Sequence, residues 1–367
     1  MTKKELFVSR RDGEHTASAL LNWYDRVRRP FPWRETTDPY KIWISEVMLQ
    51  QTQTSRAADY YLRWTCLFPT AEALARAPEE DVLKAWEGLG YYGRARNLRA
   101  AAKVIADTLG GRLPESYEGL LALPGVGPYT AGAVASIAFG LPVPAVDANG
   151  KRVFSRLLDL DCPVDRSAGE GAVREAFDRL LSPDRPGDFN QAVMELGATL
   201  CLPRSPQCGE CPLSGICRAR ERGTALLRPV FSGREKGEAA EGRMIVLLRD
   251  GNVYLRKRPS RGLWAGFEEF PWEAPPAEPP LPPALSQTEG TDFGLIRCSF
   301  TRWRVTLRVA VVSAPDGLEQ NTPGGRWAGG DELTSLTLPA GSARVRKMLF
   351  RAGLIACRSR SPKDGAE

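Results

Sequence analysis

The sequence predicts two regions of different fold class, an all-α region over about residues 16–220 and an α+β region over about residues 242–357. Three observations carry that division. Apolar residues recur at helical spacing as far as about residue 200. Four cysteines then crowd into one short loop. Past residue 241 the apolar period shortens to that of strands, interrupted by the turn residues Asp250-Gly251-Asn252. A chain of 367 residues is long enough for two or three separate cores.

Taken in order, residues 16–30 place Leu20, Leu21, Trp23, Tyr24 and Val27 on one helical face, and Arg28-Arg29-Pro30 ends that helix. After the loop FPWRETTDPYK, a second helix is predicted from near Tyr40 through IWISEVMLQQTQTSRAADYYLRW. Residues 71–86 predict another, and a basic helix follows the glycine-rich GLGYYG. The turn Leu123-Pro124-Gly125-Val126-Gly127 opens a small-residue helix from about Tyr129 to Phe139, with Pro128 in the first position, where no amide donor is needed. Asp147 precedes a helix over ANGKRVFSRLL, and further helices are expected near 169–181 and 188–200. Residues 218–241 have the charge and glycine content of a linker. Met244–Arg249 and Val253–Arg258 then flank a hairpin turn. Pro271–Pro283 reads as a surface loop, Phe293–Ala314 as strand, Ser342–Leu354 as a closing helix and residues 358–367 as a disordered tail.

Composition excludes several chemistries. The one histidine, His15, leaves Ser-His-Asp hydrolysis and most imidazole acid–base schemes without a partner, so catalysis must fall to carboxylates, Lys, Tyr or Cys. A net charge of +6 permits nucleic acid as a partner without demonstrating it. MTKKELFVSRRDGEH has no apolar core of signal-peptide length and no run approaches a membrane span, so the chain is expected in the cytoplasm, where its eight cysteines stay reduced.

Two carboxyls stand out. Glu46 has Ile42, Trp43, Leu49 and Gln50 as its one-turn neighbours. It is either a desolvated acid of raised pKa, suited to proton donation near neutrality, or a glutamate on a helix flank. Asp147 is either a helix cap or a functional group just beyond the small-residue helix. Gln50, Gln51, Thr52 and Gln53 offer amide and hydroxyl groups to a base edge or phosphate. The free amides at Gly125-Val126-Gly127 and the dipole of the following helix suit a phosphate. Leu89, Tyr91 and Tyr92 are packing residues or a wedge between bases. Arg96, Arg99 and Lys103 form a phosphate track or a solvated face. Cys201, Cys208, Cys211 and Cys217, spaced C-x6-C-x2-C-x5-C, mean a metal centre, either zinc or iron–sulfur; paired zinc ligands are usually separated by a longer finger. Spacing and composition thus reach a basic, helical, metal-bearing DNA binder with two carboxyls of interest.

WISEVMLQQTQ, GLGYY, LPGVGPYTAGA, VDANGKRV and the four-cysteine loop, in this order, resemble the adenine DNA glycosylases of the MutY type, within the helix–hairpin–helix superfamily. The likeness covers about residues 20–220; a weaker one links the C-terminal part to the Nudix-like module of these enzymes. It implies a six-helix barrel at about 34–145, an iron–sulfur subdomain from about 16–33 and 146–220, and a 4Fe–4S cluster on the four cysteines. It further implies an intracellular, nucleoid-associated monomer acting on duplex DNA that carries adenine opposite 8-oxoguanine or guanine. In this family scheme Glu46 protonates the flipped adenine and later helps activate water, and Asp147 stabilises the sugar cation or traps it covalently. Tyr129 stands where bifunctional relatives keep a Schiff-base lysine, so strand cleavage should be weak. Asn149 positions Asp147 or water. Trp33, Arg34, Leu49 and Gln191 line the adenine pocket. Gln51, Thr52, Leu89 and Tyr91 approach the oxidised guanine and its neighbouring step. Two departures are visible. The family usually presents Phe-Ser-His or Phe-Thr-His to 8-oxoguanine, and here the stretch is Phe300-Thr301-Arg302. GLWAGFEEFPWE lacks the full run of metal-binding glutamates of active Nudix hydrolases, so no nucleotide pyrophosphatase activity is expected.

Overall fold

The computed structural model describes residues 10–233, 238–259, 262–274, 281, 285, 288–300, 303–314 and 325–357, with side chains from residue 14 onward. The chain divides into two compact units, Met1–Ala85 with Gly93–Arg234, and Trp86–Tyr92 with Glu235–Glu367.

The first unit is helical. In chain order it holds α1 (Arg10–Val27), a 3₁₀ turn (Pro32–Arg34), α2 (Pro39–Leu49), α3 (Thr54–Leu67), α4 (Ala71–Arg76), α5 (Glu79–Ala85), α6 (Gly93–Thr108), α7 (Tyr117–Leu121), α8 (Pro128–Phe139), α9 (Ala148–Leu158), α10 (Ser167–Leu180), α11 (Pro186–Thr199) and α12 (Arg218–Glu221). The single helix predicted from Tyr40 is two. Asp38 caps α2 by accepting the Tyr40 amide at 2.9 Å. At its other end Arg94 Nη1 donates to the carbonyls of Val47 (2.9 Å), Met48 (3.3 Å) and Gln50 (2.5 Å). A further turn would have to compete for these acceptors, and Gln51 swings to φ +56° instead. The helix predicted over 71–86 is also two, because Pro78 supplies no amide and disfavours helix at Ala77.

Two cores result. Trp43, Trp64, Leu98, Ile105 and Val134 are buried on α2, α3, α6 and α8, and α2 packs on α8. Tyr24, Phe154, Phe177, Phe189 and Leu196 join α1, α9, α10 and α11. Small residues let neighbouring segments approach closely. A Cβ on Gly132 of α8 would lie 2.4 Å from the Pro144 carbonyl oxygen, and one on Gly197 of α11 would lie 2.5 Å from Asn149 Cβ. The predicted linker begins within this unit, since Arg228 pairs with buried Asp159 at 2.9 Å and Val230 accepts the Val164 amide at 3.0 Å.

The second unit is built on a mixed sheet of β1 (Glu238–Arg249), β2 (Asn252–Lys257), β3 (Glu268–Glu269), β4 (Trp272–Glu273), β5 (Thr291–Phe300), β6 (Trp303–Ser313) and β7 (Gly325–Ala328), with α13 (Gly330–Ser335) and α14 (Ala340–Arg351). The order is β3-β2-β1-β6-β5, with β4 on β1 and β7 on β2. Only the β1–β6 ladder is parallel among those described. The hairpin at Asp250-Gly251 takes positive φ at both residues (+49° and +72°), as a two-residue turn between twisted strands requires. β1 begins at Glu238, six residues before the predicted Met244. Trp272 and Glu273, predicted as loop, pair with β1; the predicted loop's residues 275–280, 282 and 283, and the tail 358–367, lie outside the described residues. Among the described residues, no helix is long and apolar enough to cross a membrane.

Candidate active site

Four elements of the first unit converge on Glu46. Its carboxyl is 4% exposed on α2 and accepts the Tyr129 hydroxyl of α8 at 2.5 Å. Burial pushes Glu46 up to about 7; the Tyr129 hydrogen bond opposes this, Asp147 adds to it and Arg34 opposes it. Tyr129 is held well above its usual range, first by burial and then by the charges of Glu46 and Asp147. Asp147 therefore shares the site. Its Oδ1 accepts the Gly150 amide at 2.7 Å, capping α9, and its Oδ2 accepts Asn149 Nδ2 at 2.7 Å. The two readings of Asp147, cap and site carboxyl, hold together.

The sequence-predicted pocket residues follow. Trp33 is buried and stacks on Phe31 with ring centroids 5.0 Å apart. Arg34 lies against Phe31 and Tyr24 and donates to Glu195 at 2.8 Å. Leu49 and Gln191 are half-buried on α2 and α11. Sequence reasoning missed three contributors on α9 and α11. Asn190, fully buried, accepts the Ala145 amide at 2.9 Å and donates to the Val143 carbonyl at 2.9 Å, fixing the segment that delivers Asp147. Arg152 donates to Asn149 Oδ1 and to the Gly197 carbonyl, both at 2.8 Å. Glu195 is 1% exposed beneath Arg29 and Arg34. A polar residue beside Gln191 was the available signal for Asn190; a helical repeat after Gln191 was that for Glu195.

The candidate DNA-facing residues divide. Gln51 is exposed, Thr52 half-buried and Tyr91 exposed with φ +49°. Leu89 and Tyr92 are buried, and Tyr92 packs on Phe267. Gly125 takes φ +74°, and a Cβ there would meet Asn97 at 2.4 Å; Val126 is buried and Gly127 precedes α8 without a side-chain cap. Of the predicted phosphate track, Arg96 bonds Glu79 at 2.8 Å and Arg99 donates to the Ala77 carbonyl at 2.8 Å, so both are engaged within the unit. In the second unit Phe300 packs on Trp264 and Trp272. Thr301 and Arg302 lie outside the described residues. Glu269 is fully buried between Arg256 and Arg258 at 3.0 and 2.9 Å, and Glu268 and Glu273 also pair with arginines.

The four loop cysteines line one cavity with Arg156 and Leu213. Among the described residues no three His, Cys, Asp or Glu groups are set to grip a single ion. Burial first, then the proximity of Cys201, Cys217 and Cys208, pushes the Cys211 thiol up to about 11, so thiolates there need added positive charge. Buried Arg156 donates to Cys201 Sγ at 3.3 Å and to the Leu202 and Pro203 carbonyls. This donor set fits an iron–sulfur cluster better than one zinc ion.

Comparison with known proteins agrees. Residues 44–181 match the HhH-GPD superfamily of base excision DNA repair proteins, 201–217 the iron–sulfur binding domain of endonuclease III, and 243–348 the NUDIX domain. The cofactor is thus a 4Fe–4S cluster. The human adenine DNA glycosylase is 45% identical over 213 residues, 56% of this chain and 39% of that protein. The adenine DNA glycosylase of Mycolicibacterium smegmatis is 39% identical over 250 residues, 67% of this chain and 84% of that protein. A solved thermostable thymine-DNA glycosylase is 32% identical with a TM-score of 0.53, over 57% of this chain and 97% of the other. The aligned stretch spans 39% to 42% of the mammalian relatives.

Proposed function

Because the chain belongs to the adenine DNA glycosylase family, we propose that it hydrolyses the N-glycosidic bond of adenine mispaired with 8-oxoguanine or guanine in duplex DNA. The observation that carries this reading is the hydrogen bond from Tyr129 to a buried Glu46 whose carboxyl titrates near 7 within the field of Asp147. It is the two-carboxylate arrangement of glycoside hydrolysis applied to an N-glycosidic bond.

The base is extruded, at a cost of a few kcal/mol, into the pocket of Trp33, Arg34, Leu49 and Gln191. Protonated Glu46 gives its proton to a ring nitrogen. The C1′–N9 bond breaks and its electron pair leaves with the neutral adenine. Asp147, held in place by the hydrogen bonds from Asn149 and Gly150, stabilises the cationic sugar. Water adds to C1′ and returns a proton to Glu46. Tyr129 offers no amine, so the abasic strand stays intact. Cys201, Cys208, Cys211 and Cys217 hold the cluster, which when bound supplies cross-links that fix the loop against α9. The amides of Gly125–Gly127 and the start of α8 face phosphate. The protein works as an intracellular monomer.

Duplexes carrying adenine opposite 8-oxoguanine, thymine opposite guanine, or thymine glycol test this reading. Adenine loss, revealed as strand breaks only after alkali, is the expected result. Likeness to a thymine-DNA glycosylase favours mismatched thymine as the second reading, and thymine release without adenine release would install it. Lesion preference is tested at Arg302. Arg302→His should sharpen binding to the 8-oxoguanine mispair over the guanine mispair, and equal preference in variant and parent removes Arg302 from lesion recognition.

A further inference from the structure

We propose that Glu195 is a positioning residue of the base pocket: its buried carboxylate clamps Arg29 and Arg34 together and offsets their charge beside Glu46. The inference rests on the excision reading and deepens it. Glu195 lies one helical turn beyond Gln191 on α11, and its neighbour Met194 brings its sulfur 3.7 Å from the Tyr129 hydroxyl. Glu195 Oε1 accepts Arg29 Nε at 2.5 Å, and Oε2 accepts Arg29 Nη2 at 3.1 Å and Arg34 Nη2 at 2.8 Å. Burial pushes this carboxyl up, but the hydrogen bonds and charges of Arg29 and Arg34 outweigh it and hold it below the usual range.

Arg34 is thereby fixed on every side but one. Nη1 donates to the Arg29 carbonyl at 2.9 Å, Nη2 to Glu195, and the guanidinium lies over Phe31 and Tyr24. Its Nε is buried and has no partner among the described residues. A buried donor left unmatched carries a desolvation cost that an acceptor on an incoming base relieves. Glu195 thus aims the donor without contacting the base.

The charge count makes the second half testable. Two guanidiniums and one carboxylate leave one net positive charge. Glu46 is faced by Tyr129 from α8, Asp147 from the start of α9 and Arg34 from the 3₁₀ turn, with Glu195 behind Arg34 on α11. Glu195→Gln leaves two positive charges, which favour ionised Glu46. Arg29→Gln leaves none, which favours protonated Glu46.

Single-turnover adenine excision is followed from mildly acidic to mildly basic pH for the parent and both variants. Glu195→Gln should lower the neutral-pH rate about tenfold and move the basic limb of the profile down by roughly half a pH unit; Arg29→Gln should move it up by a similar amount. General loosening of the pocket would not displace the limbs in opposite directions. The cluster's visible band and the helical circular dichroism report folding. If Glu195→Gln does not fold, Arg29→Gln carries the test, since the Arg29 side chain is 41% exposed. An unmoved limb in a folded variant, or two limbs moving the same way, overturns the inference while leaving excision intact. A parent that releases no adenine sinks the excision reading and this inference with it.

Discussion

Two glutamates are buried in the helical unit, and their environments shift their carboxyls in opposite directions. Glu46 is 4% exposed and its nearest partner is a neutral hydroxyl; burial dominates and the carboxyl titrates near 7. Glu195 is 1% exposed and grips two guanidiniums; it stays ionised. Desolvation sets the penalty in both cases, and the charge of the partner decides whether the proton stays. Glu269 of the second unit, fully buried between two arginines, has the same kind of partners as Glu195. The carboxyl left without a hydrogen-bonded cation is the one equipped to give up a proton in a reaction.

That contrast breaks first at Glu46→Gln. The amide keeps the shape and removes the transferable proton, so single-turnover excision should fall by about two to four orders of magnitude. Binding to the mispaired duplex should persist in a filter or anisotropy assay. If Glu195→Gln proves as damaging as Glu46→Gln, the distinction between proton donor and positioning group is lost.

Asp147→Asn sharpens the comparison from the other side. Asparagine caps a helix about as well as aspartate, so the α9 start and the melting temperature should be little changed. On the proposed excision reading a negative charge beside the sugar is removed, and the rate should fall by about two to three orders of magnitude. Equal loss of melting temperature and rate would mean that Asp147 serves α9 alone.

Much of this was legible in the sequence for identifiable reasons. Glu46 was visible because its helical neighbours are apolar, and the cluster loop because cysteine spacing survives any fold. The break between α2 and α3 was not visible. It depends on Arg94, more than forty residues away, taking the carbonyls of Val47, Met48 and Gln50. Glu195 was hidden for the same reason: its partners lie 161 and 166 positions earlier in the chain. Arg96 and Arg99 read equally as a phosphate track or a solvated face, because spacing shows the face of a helix and not the Glu79 carboxylate and Ala77 carbonyl that they bond. Local pattern exposes groups whose role comes from their own helix; long-range ion pairs need coordinates.

The smallest expected effect is at Tyr129. Its hydroxyl donates to Glu46 Oε2, and a donor favours the ionised carboxylate. Tyr129→Phe removes that donor and leaves burial and the Asp147 charge, both of which hold the proton on Glu46. The folded-state pKa should therefore rise above its present value near 7, and the basic limb of the excision profile should move to higher pH. At neutral pH a larger protonated fraction offsets the loss of an orienting contact, so the rate should change by only about fivefold. A pH profile at saturating enzyme measures both quantities. Movement of the limb to lower pH would mean that Tyr129 does not act as the donor, and the assignment of Glu46 as an acid tuned by burial would have to be rebuilt around another partner.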